Sequence, residues 1–356
     1  MKNRQIKLLL ILLFLVSGCE QKEADPTAAF SLQPVSGTLD TVFMVDASAS
    51  SDEQTASAAL EVRWDWTSDG NWDSEWTTEK TATHQYTTEG AHSIKLAVRD
   101  EDGNTAQQSE IATVALPIPP LNTLVMDFSD FDDTGIGQSP TKGEQVMTSA
   151  NWGYAAATVG IWNIVITVNL VIPVAAFTAA FEQVPEQQPD GSWIWSYQFM
   201  SGGQPHMAQL VGNLDGDGFH WDMYITRDTQ YLEFNWFSGD CNLLLTSGSW
   251  TLNRSPNEPE PYIGIAWQRT PGTELADIRY TNIIPGSPAN GGFIHHGIVE
   301  DPRYDAFYNI YGIVEDRLIE IEWSRMGNDG QVRDEVHFED PDWHCWDQLL
   351  QDIDCQ

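Results

Sequence analysis

Short runs in which apolar and polar residues alternate fill most of this chain. Between residues 26 and 116 they read "TAAFSLQP", "TVFMVDAS", "LEVRWDW", "ATHQYT", "HSIKLAVRD" and "QSEIATVAL", separated by turn-forming residues. In "HSIKLAVRD", Ile94, Leu96 and Val98 fall on one face and Lys95 and Arg99 on the other. A period of two gives each strand one buried and one solvated face. Closely spaced strands of this kind predict an antiparallel β-sandwich.

The proline-rich "LPIPPLN" (Leu116 to Asn122) interrupts that pattern, and residues 117–124 read as a semi-rigid linker. A second domain is expected over 125–356. It contains a stretch, Gln145 to Phe181, without a single charged residue. Its length raises the question of a membrane span. Asn151, Asn163, Thr167 and Asn169 interrupt it, and Pro173 would kink a helix. The favoured reading is an apolar helix over 150–180 buried in the domain, with strands or membrane insertion as alternatives. From Trp193 on, ten alternating runs from "WIWSYQF" to "LIEIEWSR" are separated by turns such as "DGDG", "NGG" and "GNDG". They predict an up-and-down antiparallel sheet, closed as a barrel with the helix inside it or across its mouth. The fold class is therefore mainly β: an immunoglobulin-like sandwich followed by an antiparallel sheet or barrel domain with an apolar N-terminal helix.

Charge narrows the partners. Seventeen basic residues stand against 52 acidic ones, a formal net charge of −35. Repulsion excludes nucleic acid and anionic membrane surfaces, and leaves cations and neutral ligands such as glycans. The first residues, "MKNRQIKLLLILLFLVSGC", join a basic start to an apolar run too short to span a bilayer, which reads as a secretory signal over residues 1–18. In the oxidising compartment this implies, Cys345 and Cys355 are expected to pair, while Cys241 is either a buried thiol or a partner to one of them.

Four resemblances add to this reading. "VSGC" resembles the lipobox of bacterial lipoproteins, which implies lipidation of Cys19, a tether over 19–25 and attachment to a membrane. The following "EQKEAD" is similar to an acidic surface-export signal, and implies the outer membrane and its outer face. "VFMVDASASSD", "VRWDW" and "HQYTTEGAHSIKLAVRDEDGNT" resemble, in order and spacing, the polycystic-kidney-disease (PKD) domain, an immunoglobulin-like spacer or adhesion module. That family commonly has a tight W-D-F-G-D-G turn where this chain has "WDWTSDGNWD". The second domain, with "NWG", "TVNL" and "WHCWD", resembles Gram-negative surface lipoproteins and brings no catalytic residues with it.

Candidate chemistry is sparse. Asp65, Asp69 and Asp73 stand at positions that resemble the start of a calcium loop, with Gly70 at the sharp turn, but Thr67 replaces a carboxylate and Trp76 stands where a closing glutamate belongs. A hairpin turn with solvated acids is the competing reading. "DGDG" at Asp215 to Gly218 reads as a hairpin loop, and adjacent His295 and His296 point to opposite faces of a strand. His337, Asp340, Asp342 and His344 near Cys345 are a candidate metal cluster or simply an acidic, stapled terminus. Glu320 and Glu322 share a strand face at a spacing of roughly 6.6 Å, loosely fitting a glycosidase pair, or form a solvent face. No nucleophile elbow, phosphate loop or dinucleotide fingerprint occurs. These observations favour a non-enzymatic, lipid-anchored surface protein that binds a glycan or small apolar ligand in its second domain. Nine of the fifteen tryptophans lie from Trp193 on and, with strands that suggest a concave sheet, place that ligand in the barrel. A glycan hydrolase and a purely structural scaffold are the alternatives. Oligomeric state is left open.

Overall fold

The computed structural model describes residues 24–131 and 149–355. Cys19, on which lipidation is expected, lies outside them. The chain divides into two compact units, the second running from Thr113 onward and also taking in residues 36–40 and 87–91.

Within residues 24–114, β1 (Ser31–Gln33), β3 (Phe43–Asp46) and β5 (Thr81–His84) form one sheet. β2 (Ser36–Gly37), β7 (Thr105–Val114), β6 (Gly90–Arg99) and β4 (Glu61–Asp65) form the other, in that order. The alternating positions do what the pattern predicts: Phe43, Val45, Val62, Ile94, Leu96 and Val98 are fully buried. Trp64 on β4 meets Phe30 edge-on at 5.2 Å. Trp66 is buried too and stacks on both Trp64 and His84.

The second unit is one sheet of fourteen strands in strict sequence order. They are β8 (Glu186–Gln187), β9 (Trp193–Ser201), β10 (Gln204–Asp215), β11 (Gly218–Arg227), β12 (Tyr231–Asn242), β13 (Ser247–Ser255), β14 (Glu258–Arg269), β15 (Ala276–Asn282), β16 (Phe293–Ile298), β17 (Ala306–Gly312), β18 (Arg317–Trp323), β19 (Gly330–Arg333), β20 (His344–Trp346) and β21 (Asp352–Ile353). Every adjacent pair is antiparallel, and most of the connections are short turns that reverse the chain. β8 and β21 stand at the two ends and do not pair with each other, so the expected barrel does not close.

The helix α1 (Ala150–Ala180) occupies the gap. It packs against β9, β10 and β11 near one end of the sheet and against β19, β20 and β21 at the other. Its first turn lacks a local cap, and the Asp352 carboxylate of β21 accepts the Ala150 and Asn151 amides at 3.1 and 3.0 Å instead. A carboxylate there satisfies orphan donors and opposes the positive end of the helix dipole. The Cys345–Cys355 disulfide, as expected, closes the loop that carries Asp352. Cys241 is a free, buried thiol. Tyr154, one turn into α1, donates to Asp334, which also accepts from Arg317 Nε at 3.0 Å and caps the short α2 (Glu335–Phe338).

The interior is filled. Besides α1, residues 121–131 run across the inner face, tied there by the polar tips of large side chains. Tyr280 donates to the Leu124 carbonyl at 2.7 Å and accepts the Met126 amide at 2.9 Å. Trp250 Nε1 donates to Thr123, Trp323 Nε1 to Asp130, and Tyr308 to the Asp127 carbonyl. Leu124 is fully buried, so the packed domain begins inside the segment expected to be linker.

The tryptophans serve this core. Trp193, Trp195, Trp221, Trp236, Trp250, Trp267, Trp323 and Trp346 are all buried, leaving only Trp343 of those from Trp193 on half-buried. They do not form a binding surface. Several rest on a glycine directly across the ladder: Trp221 on Gly212, Trp250 on Gly239, Trp267 on Gly248 and Trp346 on Gly330. A Cβ at any of these glycines would come within 2.6 Å of the indole.

Candidate functional site

The acidic turn after β4 is the first sequence candidate. Asp65 is fully buried, and its carboxylate accepts the backbone amides of Thr67 and Asp69 at 3.3 Å and of Gly70 at 3.1 Å. Lys95 lies 3.7 Å away. Asp73 accepts the Trp66 amide at 2.7 Å, and Asp69 accepts the Asn71 amide at 2.7 Å. All three carboxylates therefore face N–H donors, and Asp65 faces an ammonium as well, where a calcium site would face them toward a shared cation. They build the enlarged turn. Beyond it, Trp72 and Trp76 flank the Arg63 guanidinium, 4.1 and 4.3 Å from their ring centres. These two rings are half-buried and occupied by an arginine.

The other candidates are likewise engaged. Glu320 pairs with Arg333 and Glu322 accepts from Gln331 at 2.7 Å, both on the outer face of the sheet. The "DGDG" segment forms the two-residue hairpin between β10 and β11. His295 points outward to Asp277 at 2.6 Å, while His296 is buried on the inner face and burial pushes its imidazole pKa down. His344 meets Asp340 at 3.1 Å and His337 stacks on Tyr154. Among the described residues, no three His, Cys, Asp or Glu side chains cluster as a metal site.

One surface stands apart. On the outer face of β9, β10 and β11, two cross-strand rows lie side by side: Ser196–Gln209–Tyr224 and Gln198–Met207–Thr226. Alternation puts them there, since the intervening Tyr197, Ala208 and Ile225 are buried. Three strands make each row about 10 Å wide. The fourth strand supplies a wall. Register shifts between β11 and β12 insert extra residues at the start of β12, where Glu233 takes a positive φ of 45°. Bulges of this kind re-aim side chains. Here the Glu233 amide donates to Thr226 Oγ1 at 2.8 Å, and Leu232, 74% exposed, stands beside the rows. The result is a groove of about 600 Å³ lined by Ser196, Tyr197, Gln198, Met207, Ala208, Gln209, Tyr224, Thr226, Leu232 and Glu233. Only Glu233 among them is charged.

A second depression crosses β13 to β16, where cavities of about 340 and 460 Å³ share Gln268, Arg269, Ala276 and Asp277. Most of its charges are already engaged, Asp277 with His295, Arg325 with both Glu274 and Asp305, and Arg269 with the Leu245 carbonyl at 3.3 Å. The outer-face groove was not legible as a site. The only signal was negative: in a chain this acidic, the outward positions of "WIWSYQF", "MAQLV" and "MYIT" carry no charge.

Residues 23–115 match the family model of the PKD domain and form such a domain. The PKD1 domain of Vibrio anguillarum Epp is 23% identical over 27% of this chain and 100% of its own, with a TM-score of 0.21. The PKD1 domain of the Vibrio cholerae metalloprotease PrtV is 25% identical over 26% of this chain and 98% of its own, with a TM-score of 0.20. A structure from work on carbohydrate-binding modules of the β-sandwich superfamily is 14% identical over 91% of this chain and 84% of its own, with a TM-score of 0.25. No curated protein sequence matches the chain.

Proposed function

We propose that this chain, with its PKD domain at residues 23–115, is a surface-displayed binding protein whose second domain takes a neutral, hydroxyl-rich ligand, a glycan, in the groove on β9–β11. The observation that carries the reading is the lining. In a protein of net charge −35, this groove pairs amide and hydroxyl side chains with the ring of Tyr224 and the apolar Met207 and Leu232, and holds one charge. Amides and hydroxyls can exchange hydrogen bonds with a sugar's hydroxyl groups, and an aromatic ring suits its apolar face. A ligand inside the sheet has no comparable support, because residues 121–131 and α1 fill that space.

The PKD domain serves as the spacer in this reading, and lipidated Cys19 as the anchor to the outer membrane. Isothermal titration of the chain against a panel of neutral oligosaccharides should give heat that falls at least about tenfold in affinity in Tyr224→Ala and Gln209→Ala. Heat from no sugar, or affinity untouched by both substitutions, overturns the site. Separately, Cys19→Ser should release the protein from the membrane fraction.

A further inference from the structure

The helix α1 is apolar on two opposite faces. One of them, carrying Ala155, Val159, Ile166, Leu170, Pro173 and Phe177, is buried against the sheet. The other carries Ile161, Ile164, Val168 and Val171, exposed at 63, 67, 68 and 52%. With the exposed Ala157 before them and the half-buried Ala175 after them, these residues are spaced four, three, four, three and four apart. That is the repeat that keeps one seam of a helix facing another helix. The polar Thr167 and Asn169 on neighbouring turns bond within the helix, to Asn163 Oδ1 at 3.0 Å and to the Val165 carbonyl at 2.6 Å.

We infer that a second copy of this chain covers the seam, pairing helix to helix about a two-fold axis. A repeated, self-complementary row is what an isologous contact requires, because the same patch must fit itself. Charge points the same way. Two molecules of net charge −35 repel, and α1, from Ala150 to Ala180, is where a surface approaches without adding a like charge. A lipid surface fits less well. Helices that lie in a bilayer interface carry Lys or Arg on their polar face, and this segment has none. Nor is α1 free to span a membrane, although it is long and apolar enough, since Asp352 holds its first turn and Tyr197 its Ala176 carbonyl at 2.6 Å. From Ala157 to Ala175 the seam is about 27 Å long, which suits a reversible rather than an obligate dimer.

Sedimentation of the purified chain tests this. A monomer–dimer equilibrium is expected, tightening as salt rises from about 0.05 to about 0.5 M because screening removes repulsion and leaves the apolar contact. Val168→Lys should weaken it at least about tenfold with the circular dichroism unchanged. Should that variant misfold, oxidative cross-linking replaces it: Ile164→Cys or Val168→Cys should give disulfide-linked dimers, and Leu214→Cys, exposed on the sheet, should not. A protein that stays monomeric throughout overturns the inference, as does a dimer indifferent to Val168→Lys. A monomer that floats with phosphatidylcholine vesicles, and loses this in Val168→Lys, assigns the seam to lipid instead.

Discussion

The hydroxyl of Tyr262 donates to the carbonyl of Asn169 at 3.3 Å. Asn169 is four residues before Pro173, so its carbonyl is the one that Pro173, lacking an N–H, leaves without its helical partner. A strand residue thus takes over a bond that the helix cannot make. Tyr262→Phe should cost about 1–2 kcal/mol of unfolding free energy by leaving that acceptor unpaired. In a Pro173→Ala background, where the helix can bond Asn169 itself, the same change should cost less than half as much. A double-mutant cycle from denaturant unfolding measures the difference. Equal losses in both backgrounds would show that the hydroxyl does not substitute for the missing bond.

Gly239 shows why the sheet tolerates so many indoles. A Cβ there would lie 2.1 Å from the Ser249 carbonyl oxygen and 2.4 Å from the Trp250 ring. Backbone cannot retreat from such contacts, so Gly239→Ala should destabilise by at least about 2 kcal/mol. Gly216→Ala, in the β10–β11 turn with nothing near the new methyl, should cost only the strain of its positive φ of 58°. Thermal unfolding of the two variants side by side separates packing from backbone strain.

Asp334 gives a pH dependence with a definite sign. Burial alone would raise its pKa, but Arg317 and Tyr154 outweigh it and hold the carboxyl below the usual aspartate value. The folded pKa lies below the unfolded one, so this contribution is complete above about pH 4 and disappears as pH falls through the folded value. Asp334→Asn should lower neutral-pH stability by about 2–3 kcal/mol, less than a fully buried pair because the Arg317 side chain is 31% exposed. It should also flatten the acid limb of stability against pH. An unchanged acid limb in the variant would assign that slope to other carboxylates.

The PKD turn should be indifferent to calcium. Because Asp65, Asp69 and Asp73 already accept backbone N–H groups, neither calcium nor chelator should move the melting temperature. Asp65→Ala should instead destabilise by about 1–3 kcal/mol by orphaning buried turn amides. A calcium-dependent rise in melting temperature, lost in Asp65→Ala, would restore the metal site.

What the sequence determined here was local. Alternation along each strand named the faces: Ile94, Leu96 and Val98 are buried as their spacing required, and the ten runs from Trp193 on became strands of one meander because successive turns leave no other pairing. The charge-free stretch gave α1, since 31 residues without a charge can satisfy their backbone in a helix. Tertiary structure decided everything that depends on which elements meet. Strand patterns do not say whether β8 reaches β21, and it does not, because α1 stands between the ends of the sheet. They do not say that a tryptophan rests on the glycine across the ladder, because register is set between strands. The groove exists only where the outward residues of three strands fall into line and a bulge in β12 lifts Leu232 beside them. The exposed seam of α1 was hidden for the same reason. Both faces of that helix are apolar, so composition could not distinguish the face the sheet covers from the face it leaves open.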